Sequence, residues 1–315
     1  MKPRFASMLA ALAFGRCRAP RQPRPSPRRW QVCSVALVLA LAVAAPVQAH
    51  PALWAIKDQD TTIYLFGTVH LLPHDADWHF PALDKALDDS QALYVEIVDD
   101  DQANMAALVM RYGMDMAHPL SDLLTPFDRG RLERAARLAD IPGGVAALNM
   151  MRPWLAALTL TVAPLTKAGL DPAEGVDKQL RATMEKAGKP VRGLETAEQQ
   201  IRFLADMPQT MQLAMLRSTL RDTDRATADL AAIIRAWKDG DEAALARLEN
   251  DLMRRETPEL YQRLLVERNK AWAERITGML QQPGTVFIAV GAAHLAGPDS
   301  VQSQLAGDGI EAQRL

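Results

Sequence analysis

The sequence predicts an α/β protein whose mixed sheet takes strands from both ends of the chain, around a large helical middle. Three observations carry this reading. β-branched and aromatic runs gather at 53–57, 61–66 and 93–98. From about 101 to 282 Leu, Ala, Met and Arg recur at helical spacing and β-branched runs are scarce. Near the other end, 285–290 (TVFIAV) is a fully apolar strand, and a short last strand is expected at 310–314.

The elements follow in chain order. Residues 1–31 are basic and Pro-rich, 32–45 run apolar, and Pro46 breaks the run ahead of Val47-Gln48-Ala49. This order predicts a secretory signal peptide over 1–49, cut after Ala49, and a single exported, periplasmic domain over 50–315. The apolar stretch is short for a spanning helix, which needs about 20 residues. No later segment is long and apolar enough either, so no membrane span is expected after cleavage. Both cysteines, Cys17 and Cys33, lie in this leader, which excludes Cys nucleophiles and Cys-ligated zinc from the mature protein.

Leu53 to Lys57 and Thr61 to Phe66 flank Asp58-Gln59-Asp60 and read as a hairpin. Pro81 opens a helix to about Asp89, and LYVEIV at 93–98 is the next strand. Pro126, Pro153, Pro172, Pro208 and Pro258 mark helix starts in the middle, and KPVRGLE at 189–195 interrupts it as a short strand. Met207, Met211 and Met215 are helically spaced core filling. Once the eight basic residues of the leader are set aside, 28 basic residues face 38 acidic ones, a net charge of −10. Such a body repels phosphate backbones, so no nucleic-acid partner is expected.

Two of the six histidines share one local frame. Tyr64-Leu65-Phe66 runs into Gly67-Thr68-Val69-His70, and Ile288-Ala289-Val290 runs into Gly291-Ala292-Ala293-His294. Each glycine permits a positive φ or a close backbone approach. Each His then lies just past a strand's C-terminal end, where open α/β sheets hold ligands. If the strands are neighbours, the imidazoles face one crevice and suit a divalent metal; otherwise each only closes a local hydrogen bond. Glu96, inside an apolar strand, is costly unless paired or metal-bound. His70, His294 and Glu96 are therefore the candidate ligands of a divalent ion such as zinc, with open positions for water.

Arg268 falls on the apolar stripe of Tyr261, Leu264, Leu265, Trp272, Ile276 and Met279. It should meet an anion or point into a site, unless its stem packs and its head reaches water. Glu195 closes the 189–195 strand as a further candidate, or else caps the following helix. His74, Asp75, Asp77 and His79 fit no metal spacing and read as a solvated loop over the site mouth. No G-x-S-x-G turn, phosphate loop or dinucleotide fingerprint occurs.

LFGTVHLLP, LYVEIV, GVDKQL…KAGKPVRGLET, ERN…W and AVGAAHLAGPDSVQSQL together resemble the TraB/PrgY/GumN/Tiki superfamily, its bacterial exported GumN-like members most of all. The resemblance spans about 54–315. It implies an erythromycin-esterase/ChaN-like α/β fold and, from the animal Tiki branch, a peptidase dependent on manganese or cobalt. Carried over by motif, it marks His70, His294, Glu96, Arg268 and Glu195. The expected mechanism is a metal-bound water attacking an amide, with Glu96, Arg268 and Glu195 as catalytic residues: Arg268 on the oxyanion, and Glu195 as base or as partner of a ligating His. The substrate is then a peptide or small molecule. A non-catalytic binding protein for envelope peptide or polysaccharide, and a metal-dependent esterase, are the alternatives.

Overall fold

A computed structural model describes residues 49–74 and 76–315. The expected leader through Gln48, with both cysteines, and Asp75 lie outside the described residues. Six strands form one mixed sheet: β1 (Leu53–Lys57), β2 (Thr61–Thr68), β3 (Ala92–Val95), β4 (Val191–Gly193), β5 (Gly284–Gly291) and β6 (Gln313–Arg314). Their spatial order is β4-β3-β5-β2-β1-β6. β1 and β2 make the antiparallel hairpin, and β6 pairs with β1. β5, from the far end of the chain, runs parallel between β3 and β2.

The alternation of side chains along β2 explains the layers. Tyr64 and Phe66 join Leu93, Phe287 and Trp237 on one face of the sheet. Ile63 and Leu65 join Tyr94, Ile288, Trp272 and Ile276 on the other. Strands covered on both faces read as continuous apolar runs, which is why 61–66 and 285–290 stand out in the sequence. The helical middle spans Gln102 to Met279 and builds two further cores of its own, one of them around Met207 and Met211. Pro126, Pro153, Pro172 and Pro258 each sit in the first turn of a helix, as expected. Among the described residues no helix is long and apolar enough to cross a membrane.

Three boundaries differ from the sequence reading. β3 stops at Val95, so Glu96 lies just beyond the strand rather than inside it. Its carboxylate accepts from the backbone N–H of Gly291, and its carbonyl still accepts from the Glu195 N–H. The last strand is only two residues long, Gln313–Arg314, paired with Ala55 and Trp54 of β1. Two helices also contain a π-turn, at Ala246–Asn250 and at Gln262–Val266. One extra residue in a turn rotates everything after it by about 100°. Arg268 lies two residues past the end of the second π-turn, and that offset helps aim it at the strand ends.

Candidate active site

β4, β3, β5 and β2 are mutually parallel, so their C-terminal ends share one edge of the sheet. Thr68 is level with Gly291, and Val95 with Ala289. All four carry an expected site residue at or just past that edge: His70 after β2, Glu96 after β3, Glu195 after β4 and His294 after β5. Arg268 arrives from the helix Glu267–Met279 and ties them together. The five residues converge.

Gly291 explains how closely. A Cβ built on it would lie 3.2 Å from Glu96 Oε1, 3.6 Å from His294 Cδ2 and 3.8 Å from His70 Nε2. The glycine is therefore there for close approach, since its φ of −49° suits any residue. Gly291→Ala is expected to destabilise the fold by about 1–3 kcal/mol, as overpacking does. Equilibrium urea denaturation checks this, and a change within ~0.5 kcal/mol would show that the strand ends can spread.

Behind the crevice lies a buried ionic cluster. Arg268 Nη2 donates to Glu96 Oε2 at 2.7 Å and Glu195 Oε2 at 2.8 Å, and Nε donates to Glu195 Oε1 at 2.9 Å. Nη1 donates to the Leu264 carbonyl at 3.2 Å and to His294 Nε2 at 3.0 Å. All five guanidinium N–H groups are thereby engaged, which leaves none for an oxyanion. Its plane also rests near the Trp272 and Phe203 rings, 4.7 and 5.5 Å from their centroids. Gln200 adds a bond to each carboxylate, at 2.8 and 3.1 Å.

The charges follow from these contacts. Burial alone would raise the Glu96 carboxyl, but the Arg268 guanidinium beside it holds it well below the usual carboxylate range. Burial pushes His294 down to about 3, and Arg268 adds to this, so the ring is neutral. Its Nδ1–H donates to Asn269 Oδ1 at 2.5 Å, and its Nε2 lone pair receives Arg268. Asn269 is itself fixed by donating to the Asp299 carbonyl.

His70 differs from His294 in every respect. Its side chain is 61% exposed and opens to a crevice of about 220 Å³, which Glu96, Asp177, Gln200, Asp100, Lys178 and Arg181 also line. Its Nδ1 donates to Asp177 Oδ1 at 3.1 Å, and that hydrogen bond raises the imidazole to about 9. Asp177 sits in the first turn of the helix Val176–Lys186, where the helix dipole favours an anion. Lys178 and Arg181 on the same helix both pair with Asp100. Only His70 and Glu96 of the five expected residues reach the crevice; His294, Glu195 and Arg268 stand behind it.

As arranged, these side chains do not fit a His/His/Glu metal shell. Both His294 nitrogens are already committed, and a guanidinium occupies the place facing its lone pair. Among the described residues no group of three or more His, Asp or Glu is placed to hold an ion. Of the described residues between 74 and 79, His74 pairs with Glu174 and His79 with Asp84, and none lines the crevice.

Sequence reasoning missed Asp177, Gln200 and Asn269 as site residues. Asp177 and Asn269 lie within GVDKQL and ERN, two of the stretches that carry the family resemblance, so their signal was the motif rather than any local oddity. Gln200 has no signal: it is one of two adjacent glutamines on a helix.

The TraB/PrgY/gumN family profile matches residues 52–314, which includes every strand and every residue of this cluster. The chain belongs to the TraB/PrgY/gumN family. Among curated proteins it is similar to "Uncharacterized protein YbaP" of Escherichia coli (strain K12), 28% identical over 249 residues that cover 77% of this chain and 87% of the relative. The protein of the same name from Shigella flexneri matches to the same extent. No solved structure matches the chain. In this member of the TraB/PrgY/gumN family both G-x-x-H motifs deliver their histidines to one strand edge, one facing solvent and the other locked behind it.

Proposed function

We propose that this protein is an exported hydrolase, acting on a peptide or another small acyl substrate in the crevice at the strand ends. The observation that supports it is the His70–Asp177 pair: a solvent-open imidazole, oriented through Nδ1 by a carboxylate, beside an ionised Glu96. That is the arrangement proton transfer needs, with Nε2 facing the substrate and Nδ1 held by a fixed acceptor. His70 enters the reaction protonated and gives the Nε2 proton to the leaving group. As that proton leaves and the bond between the acyl carbon and the leaving group breaks, Nε2 is free to take one proton from the attacking water, whose oxygen forms the new bond to the acyl carbon, so His70 ends protonated as it began. Glu96 accepts a hydrogen bond from that water and orients it. Arg268, Glu195 and His294 act as positioning residues, because their polar atoms are spent on one another.

A metal-dependent reading keeps one specific support. Metal-binding histidines are commonly held by a carboxylate on the other ring nitrogen, and His70 is held in this way by Asp177. It requires Arg268 to release His294.

One assay separates the readings. The protein is incubated with peptide and ester libraries, with and without a chelator, and with added manganese, cobalt or zinc. His70→Ala is expected to lower cleavage by about 10²–10⁴-fold while the fold persists, and a chelator is expected to leave the wild-type rate unchanged. Chelator-sensitive cleavage, with metal content lost in both His70→Ala and His294→Ala, establishes the metal reading instead. If no bond is cleaved under any condition, the crevice is a binding site.

A further inference from the structure

A second cavity, of about 410 Å³, lies among the helices of the middle region and shares no lining residue with the crevice. Its size is that of a small-molecule site. Met215, Leu230, Ile233 and Leu252 give it an apolar wall. Its charged lining residues are all acidic, Asp222, Asp229, Glu249 and Glu256, with no basic side chain among its described lining. Glu256 is already paired with Arg221.

Glu249 is the informative one. It lies in the π-turn Ala246–Asn250, whose Asn250 donates to the Ala293 and Ala296 carbonyls and so braces the loop around His294. Glu249 Oε2 is buried and has no hydrogen-bond partner. A carboxylate oxygen removed from water without a donor is costly, and the cost is relieved by any cation or N–H that reaches it. Burial pushes the carboxyl up to about 7, with only the charge of His70 drawing it back. π-turns recur at functional sites because they break the regular helix ladder.

We propose that this cavity binds a small amphipathic organic cation, its apolar body against Met215, Leu230, Ile233 and Leu252 and its protonated amine on the Glu249 carboxylate. The acidic lining selects the charge, and the apolar wall selects an alkyl or aromatic body over a polyamine. The site stands independently of the hydrolase reading, since its wall is separate and its readout is binding.

The test is calorimetric titration of the full chain at pH 8 with octylamine, 1-octanol and octanoate, which share one tail and differ in head group. Octylamine is expected to bind one to one and at least about tenfold more tightly than 1-octanol, with octanoate weakest, as a charge-assisted hydrogen bond implies. Glu249→Gln is expected to remove that advantage and leave 1-octanol unchanged. Leu230→Trp, which fills the cavity, is expected to abolish both. Equal affinity for amine and alcohol, no binding of any of the three, or an unchanged amine affinity in Glu249→Gln overturns the proposal. Should Glu249→Gln fail to fold, the wild-type head-group ranking together with Leu230→Trp decides it.

Discussion

Arg268→Met is expected to destabilise the protein by about 3–5 kcal/mol at neutral pH, because it leaves two buried carboxylates without their shared cation. Glu96 and Glu195 have side-chain exposures of only 14% and 9%, so water cannot replace the guanidinium. Arg268→Lys should recover little, since an ammonium cannot fork to two carboxylates and an imidazole at once. The pH dependence has a definite sign. The Glu96 carboxyl is held below its unfolded value, so its contribution is present above the ordinary carboxylate pKa of about 4.5. It is lost as the pH falls through the lower folded value. Wild type and variant should therefore differ most at pH 7 and converge in strong acid, where the variant's Glu96 carboxyl is neutral. Urea midpoints at pH 7 and pH 3 measure this. A variant within ~1 kcal/mol of wild type at pH 7 would show that the cluster is not what holds the strand ends together.

Asp177→Asn is expected to move the His70 imidazole from about 9 down towards its ordinary 6.5, because the charged acceptor on Nδ1 is the largest influence on it. Glu96 and Glu249 still exert some upward pull in the variant, so the fall need not be complete. For a group raised in the folded state, the stabilising contribution is full below pH 6.5 and is lost as the pH rises through about 9. Wild type should therefore lose stability across that window and the variant should not. Any hydrolytic rate should follow the same shift, with its upper pH limit moving to lower pH in the variant. An NMR titration of the ring C–H resonances reads the imidazole directly. His70 titrating near 6.5 in both proteins would mean that Asp177 does not control it.

Much of this was legible before any coordinates. The β2 and β5 strands announced themselves because both faces are covered, which leaves no polar residue to interrupt the apolar run. His70 and His294 stood out because each closes the same Gly-containing frame at a strand end. Glu96 and Arg268 stood out because charge in an apolar stretch needs a partner, and they proved to be each other's partners. What stayed hidden depends on juxtaposition. Nothing near Asp177 marks it as the anchor of His70, a residue 107 positions away. Neither π-turn leaves a compositional mark, so the helix phase at Arg268 and Glu249 had to come from the fold. Equal motifs also suggested equal roles for the two histidines, whereas one is solvent-open and the other is 6% exposed. The difference comes from Asn269 and Arg268, which flank only the second.

The central seat of β5 has a consequence for how the molecule is made. A nascent chain emerging from the ribosome would present β2 and β3 long before residues 284–291 are available to join them. Until then the two strands face an open slot, and the sheet edge that gathers His70, Glu96 and Glu195 has no floor. Such late, long-range closure is slow compared with local helix formation. Competence would thus appear in one step once residues 284–291 have joined, and a chain that still lacks them would expose two apolar strand edges that favour capture by a chaperone.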